Sequence, residues 1–396
     1  MRTKHSLWPT FLGRRWLPAI GLAVAIGGAP GGAQAAPYTP SDDSQVLANV
    51  PVGARHAELQ TRLMARERID VALPLAQLYI KEARTTGDLR FLGYAEAMLA
   101  PWVGPASSSA PALVLHATVL QSRHEFSKAL EVLHQALALR PDDPQAWLTS
   151  ATVLRVLGRY DESMAACDEV SRRADEAITQ LCLQGVRGLK GQLPSAYARI
   201  EQISSQEMPD DERAWRDSEL GEMAVRLGDD AAAEHWFRNG LRFSPDDFYT
   251  RAAYADLLLR QGRPREALSL LKGQESLEPL LLRIALAQKA LHDPGLEDSR
   301  ARLGAAFAAE AARGDGVHRR EESRFLLEVE NRPQAALSAA VANWQVQREV
   351  EDVLVLLRAA QAAGTPNAAT PALDFVREHG VQDVRINAAL DRGPHT

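Results

Sequence analysis

A spacing of 34 residues constrains this 396-residue chain more than any other feature. Ala117 returns as Ala151, Leu120 as Leu154, Phe126 as Tyr160 and Ala136 as Val170. A second stretch keeps the interval: Gly228 with Gly262, Ala233 with Ala267 and Phe237 with Leu271, although Leu241 meets Glu275. The units run over 110–143, 144–177, 214–247 and 248–281. A period of this length marks a supersecondary unit that cannot bury its apolar face alone and must stack on its copies. An array of such units grows in one dimension, each repeat touching its neighbours, so ordinary domain-size statistics do not apply.

Each unit has one physical logic. An amphipathic helix such as Trp147–Leu157 comes first. It ends at Gly158-Arg159, where glycine can take the left-handed conformation that stops a helix. A second helix comes next, Tyr160–Ser171. Small residues let the two helices approach: Ala117, Ala151, Gly221 and Ala255 on first helices, and Ala129, Ser163, Ala233 and Ala267 on second helices. Pro141 and Pro245, each followed by Asp, end one unit and begin the next. Abundant Ala and Leu favour helices, and aromatics make up only 6%, so strand-like runs are scarce.

The segments AWLTSATVLRVLGRYDESMAAC at 146–167 and AYADLLLRQGRPREAL at 253–268 carry a Trp or aromatic, small residues at the crossings and a Gly-x-Tyr or Gly-x-Pro turn. In this the sequence resembles the tetratricopeptide repeat family, with Ser163 where Ala is usual and Pro264 in place of the aromatic. The resemblance covers 110–281, with a degenerate unit at 178–213; 66–100, 282–315, 317–346 and 350–378 read as drifted hairpins of the same kind. It implies an all-α fold, a right-handed superhelical solenoid of antiparallel helix hairpins. The expected organisation is an N-terminal hairpin at 55–100, repeats at 110–281, and divergent hairpins at 282–396 ending in a capping helix, Val381–Leu390.

The resemblance also implies that first helices line a concave groove. Groove candidates are then Val114, Thr118 and Gln121; Leu148, Thr152 and Arg155; Ser218, Glu222 and Arg226; and Tyr249, Asp256 and Arg260. This lining is more apolar at one end and charged with both signs at the other, which suits a protein or peptide segment of mixed character. The basic clamp with which some family members hold a chain's carboxyl end is absent: its places hold Val114 and Thr118, Leu148 and Thr152, and Ser218 and Glu222.

Residues 1–35 read as an export signal. A basic start, the apolar run Trp16–Ile26 and small residues ending in Ala33-Gln34-Ala35 predict cleavage after Ala35, with Ala36 next. Arg14-Arg15 raises a twin-arginine route, against which stand Pro18 and the lack of a polar residue before the pair. No Cys comes after the apolar run, which excludes a lipoprotein anchor. Residues 36–54, rich in Pro, Ser and Asp, read as a flexible lead-in. The mature chain is expected in the periplasm or secreted, with no further membrane span. The signal holds four cations and no acid, so its removal takes the formal net charge from −6 to −10. That balance disfavours nucleic acid as a partner.

Little in the sequence points to chemistry. No nucleophile, zinc-protease or phosphate-loop motif is present, and no CxxC, so neither catalysis nor a cofactor nor a metal is expected. His116, His124 and His134 share one repeat but lack the i, i+4 spacing of a helical metal pair. The charged run His318, Arg319, Arg320, Glu321 is either a solvated face, with Arg319–Glu322 and Glu321–Arg324 pairs, or a docking patch. Cys167 and Cys182 fall on helices that pack antiparallel in such an array, so they either bridge or serve as small apolar filler. Two functional expectations remain. One is an exported protein-binding scaffold in an envelope-assembly or secretion-related complex; the alternative is an accessory enzyme or metal-handling protein using the histidines.

Overall fold

In the computed structural model the chain divides into two units, Met1–Met64 and Ala65–Thr396. The residues described are 66–105, 107–313 and 318–391, all within the second unit. The export signal at 1–35, the lead-in at 36–54 and the start of the expected hairpin at 55–65 lie outside them.

Among the described residues there is no strand, and helices pair in chain order into nine hairpins. The first is α1 (Ile69–Thr86) with α2 (Arg90–Leu99), the second α3 (Ala110–Ser122) with α4 (Phe126–Leu139), and the third α5 (Pro144–Val156) with α6 (Tyr160–Ser171). The fourth is α7 (Glu176–Leu189) with α8 (Leu193–Glu201), the fifth α9 (Asp210–Leu227) with α10 (Asp230–Phe243), and the sixth α11 (Phe248–Arg260) with α12 (Pro264–Leu270). The seventh is α13 (Glu278–Leu291) with α14 (Leu296–Arg313). The eighth is α15 (Arg319–Arg324), extended by a π-helical turn at Phe325–Val329, with α16 (Pro333–Trp344). The ninth is α17 (Val350–Ala362) with α18 (Thr370–His379), and α19 (Val384–Asp391) closes the series. No described helix is long and apolar enough to cross a membrane.

Local chemistry explains the boundaries. Asp143 accepts from the N–H groups of Gln145 and Ala146, and Asp247 from those of Tyr249 and Thr250, satisfying first-turn donors that have no partner inside the helix. Positive φ recurs in the turns between the two helices of a hairpin. Among the regular hairpins Gly158, Gly228 and Gly262 hold this place in three and His124 in the other, and His292 and Asn331 hold it in divergent ones. His124 stands 34 residues before Gly158, so the turn geometry recurs even where the glycine does not.

The crossings are as tight as the small residues require. A Cβ on Gly221 would fall 2.4 Å from the ring of Phe237. Ser163 is fully buried and its hydroxyl donates to the carbonyl of Ala151 at 2.8 Å; Ser323 does the same to Ala336 at 2.8 Å in the eighth hairpin. The apolar core is a string of clusters between successive hairpins. Packing also crosses the Pro/Ser-rich stretch 101–111, where Leu92 and Met98 meet Ala112 and Val119. The first hairpin therefore continues the stack.

The right-handed solenoid is wound tightly enough that successive turns of the superhelix touch. Leu277, in the linker before the seventh hairpin, lies against Gly87 in the first, and the Ser276 hydroxyl donates to the Thr86 carbonyl at 3.3 Å. The Arg348 N–H, in the linker before the ninth hairpin, donates to the Val156 carbonyl of the third at 2.8 Å. Phe375 of α18 covers Gly158. The expectation that each repeat contacts only its neighbours is corrected accordingly: glycines in the hairpin turns leave room for the next turn of the coil to sit on them.

Candidate functional site

The first helices surround a lumen of about 560 Å³. Gln121, Arg155, Glu222, Arg226, Tyr249, Asp256 and Arg260 line it, together with His318, Arg320 and Glu321. Val114, Thr118, Leu148, Thr152 and Ser218 do not. Val114, Leu148 and Ser218 are buried. The Thr118 and Thr152 hydroxyls bond back to the carbonyls of Val114 and Leu148, each at 3.0 Å. α3 is apolar on nearly every side, as a helix buried all round must be. The groove therefore narrows to a lumen whose walls come chiefly from the charged end of the expected lining.

Those walls are bridged by ion pairs, two of which skip a hairpin. Arg155 of the third hairpin reaches Glu219 of the fifth at 3.0 Å. It passes Gly185 of α7, where a Cβ would stand 2.9 Å from its Nη1. Asp256 of the sixth hairpin holds Arg283 of the seventh at 2.7 Å and Arg324 of the eighth at 3.0 Å. Arg320 reaches Asp352 at 2.6 Å and Glu349 at 2.5 Å in the ninth. Asp352 also accepts from Asn343 at 2.7 Å and Gln347 at 3.1 Å, while Glu349 and Asp352 cap α17 reciprocally. Arg385 joins Glu351 at 2.6 Å. Arg260 pairs with Asp230.

Titration reflects this enclosure. Burial and the neighbouring Glu219 push the Glu222 carboxyl up to about 7, although the Tyr249 hydroxyl hydrogen-bonds it and Arg155 lies nearby. Burial would raise Asp256 as well, yet Arg283 and Arg324 hold it well below the usual carboxylate range. Tyr249 stands in the lumen, 45% exposed.

Three residues of the charged run, His318, Arg320 and Glu321, stand in the lumen wall rather than on a solvated face. All four side chains of the run are half-buried, and Arg319 alone of them does not line the lumen. Glu321 approaches Arg283 at 3.6 Å, and Arg324 turns to Asp256 and Glu328, so the expected Glu321–Arg324 pair does not form. His318 bonds Glu310 at 2.6 Å, and its ring stands 6.4 Å from that of His124. Burial, with His318 next to it, pushes His124 down to about 4. His116 is half-buried and His134 exposed, and no three potential metal ligands gather among the described residues. Cys167 and Cys182 form a disulfide between α6 and α7 with a Cα–Cα distance of 5.6 Å, stapling the third hairpin to the fourth.

Several wall residues escape the sequence reading: Glu219, Arg283, Glu349, Glu351 and Arg385. Most sit in hairpins where the 34-residue register has slipped. The signal that points to one pair is the capping box Glu349-x-x-Asp352, which fixes the start of α17.

The tetratricopeptide repeat family model matches residues 120–182. The crystal structure of the APC/C hetero-tetramer Cut9-Hcn1 is similar at a TM-score of 0.50 and 14% identity, over 82% of this chain and 63% of that one. This chain thus spans less than two thirds of that relative's length. The human IFIT1 dimer with m7Gppp-AAAA is similar at a TM-score of 0.45 and 13% identity, over 84% and 85%. Yeast Tom70 is similar at 0.30 and 10%, over 84% and 87%. No curated protein matches the sequence. At these identities the likeness is one of fold.

Proposed function

We propose that this chain, which carries tetratricopeptide repeats, is an exported scaffold that binds a protein or peptide partner through its lumen, in an envelope-assembly or secretion-related complex. The observation that carries the reading is the lumen itself, a concave space walled by Arg155, Glu222, Tyr249, Asp256, Arg320 and Glu321. Charges of both signs stand there beside aromatic surface, which suits a segment bearing apolar and charged side chains and suits a uniformly charged polymer poorly. Binding is the chemistry these groups support, and catalysis is not part of the proposal. Export is supported by the signal-like sequence at 1–35 and by a disulfide of a kind that persists in oxidising compartments.

The test is capture from periplasmic extract with the mature chain, beside a full-length Glu222→Lys/Tyr249→Ala variant of unchanged helicity. A partner held by the wild type and lost by the variant supports the lumen. A partner held equally by both moves the interface elsewhere. Export is checked separately: N-terminal sequencing of the mature protein is expected to begin at Ala36 or Pro37.

A further inference from the structure

We propose that Gly380–Gln382 is an internal ligand: it occupies on the fourth and fifth hairpins the donors that a partner peptide takes, and the partner it fits presents a Gly-x-Gln segment. This rests on the reading of the chain as a peptide-binding scaffold and names the chemistry of what it binds.

The contacts of this short segment run through backbone groups and one carboxamide. Gly380, at φ +65°, ends α18 and passes directly over Gly191, itself at φ +77°. A Cβ on Gly191 would come 3.2 Å from the Gly380 carbonyl, so the two backbones approach as only glycines allow. Two residues on, Gln382 contributes both of its carbonyls. Its side-chain Oε1 accepts from the Leu193 N–H at 2.9 Å, and its main-chain oxygen accepts from Arg226 Nε at 3.3 Å. Leu193 opens α8, so its N–H has no carbonyl inside the helix to bond and must find an acceptor outside. Arg226 is buried and also donates to the Gly188 carbonyl at 2.6 Å. Both donors thus meet carbonyl acceptors, and the chain's own tail supplies them.

The C-terminal flank is anchored chiefly to the ninth hairpin. Arg385 pairs with Glu351 of α17, and Gln361 of α17 donates to the Ala389 carbonyl at 2.8 Å. Val384, the residue facing the fifth-hairpin turn at Gly228, stays 43% exposed. The segment therefore meets the fourth and fifth hairpins through two hydrogen bonds and a glycine contact, its C-terminal flank adds the contact of Val384 with Gly228, and the ninth hairpin holds the ion pair and the helix beyond it. Hydrogen bonds that exchange with water contribute modestly to stability, so a competing carboxamide and carbonyl can replace these two without unfolding the solenoid.

The experiment uses the full chain, its Gln382→Leu variant, which removes the side-chain acceptor, and its Gln382→Glu variant, which keeps one. The probe is a fluorescent peptide with the sequence of residues 378–387. In Gln382→Leu the Leu193 amide is expected to exchange with solvent about tenfold faster or more while α11 is unchanged, and Gln382→Glu to stay near wild type. The peptide is expected to bind Gln382→Leu at least about tenfold more tightly than wild type, since the internal segment no longer competes. Equal exchange in all three proteins, or equal or absent peptide binding in both, overturns the proposal. So does concentration-dependent dimerisation of Gln382→Leu, which would make the segment an exchange element between copies. Should Gln382→Leu lose its helicity, the wild type decides alone: Leu193 is expected to exchange by local opening, with lower protection than Leu181, and exchange only through global unfolding overturns the idea. These outcomes are independent of whether capture from extract finds a partner.

Discussion

The regular hairpins at 110–171 and 210–270 and the divergent ones at 278–391 solve different problems with the same two-helix unit. In the regular hairpins the helices close on Ala117, Ala151, Gly221 and Ala255, all buried, and the neighbours are apolar. In the divergent hairpins the inner faces carry Arg283, Arg320, Arg324, Glu349, Asp352 and Arg385, which reach one another, Glu351 or back to Asp256. Repetition therefore builds the stack, while departure from repetition closes the coil and adds the partners that bridge the charges the regular hairpins also place in the lumen. A strictly periodic sequence would present the same residue at every inner position, and like charges would then face each other across the lumen. The slipped register lets opposite charges meet.

The sharpest way to break this contrast is at Asp256, where the two regions join. Asp256→Ala leaves Arg283 and Arg324, both mostly buried, without their shared carboxylate. The expected loss is about 2–4 kcal/mol, below that for a fully dry pair because Asp256 keeps some contact with water. The folded pKa of Asp256 is depressed, so its stabilisation is present above the ordinary carboxylate range and fades as pH falls through that lower folded value. Urea melts at pH 7 check it; a loss under about 0.5 kcal/mol, the size of a surface pair, would mean the two regions are not coupled there.

Reducing the Cys167–Cys182 bond tests the boundary between the regular third hairpin and the slipped fourth. The bridge closes a 15-residue separation, for which the chain-entropy account gives about 3 kcal/mol. The loss should appear in melts of the reduced protein, and an unchanged midpoint would assign the staple no part in stability.

Within the regular region, Ala151→Leu forces a bulky side chain into a helix crossing already closed by the Ser163 hydroxyl. Overpacking is expected to cost about 1–3 kcal/mol, read as a lowered midpoint in urea melts. Leu89, exposed in the first hairpin's turn, takes part in no such crossing, so Leu89→Ala serves as the control and should barely shift the melt.

The legibility of the sequence divides along the same line. Small residues at 34-residue intervals mean one thing physically, close helix approach, so the hairpins at 110–171 and 210–270 are readable residue by residue. The turn residues are half readable: Gly158 and Gly228 announce themselves, but His124 holds positive φ with no local signal. The lumen is least readable. In sequence Arg320 is one charge in a surface-like run, because its partners Glu349 and Asp352 lie about 30 residues on and meet it only when the eighth and ninth hairpins stack. Place on a first helix assigns Val114 and Leu148 to the groove, whereas the tight coil packs other side chains over them.

The smallest expected effect concerns Glu222, where the regular region supplies a lumen group whose charge is poorly compensated. Burial, then Glu219, raises its carboxyl to about 7, while the Tyr249 hydroxyl and Arg155 pull the other way and Glu349 adds to the rise. An unfolded glutamate titrates near 4.3, so between about pH 4.5 and 7 the native state holds a proton that the unfolded chain has released. Stability contributed by this group is thus complete below the unfolded value and declines as pH rises through the folded one. Glu222→Gln keeps the neutral shape and removes the charge. It is expected to match the wild type near pH 4 and to exceed it at pH 8, by less than about 1 kcal/mol because water in the lumen screens the neighbouring carboxylates. Urea melts of both proteins at the two pH values check this. A gain from Glu222→Gln that is larger at pH 4 than at pH 8 would reverse the sign and place the charged form of Glu222 among the stabilising bridges, making the inner wall of the regular region no different from that of the divergent one.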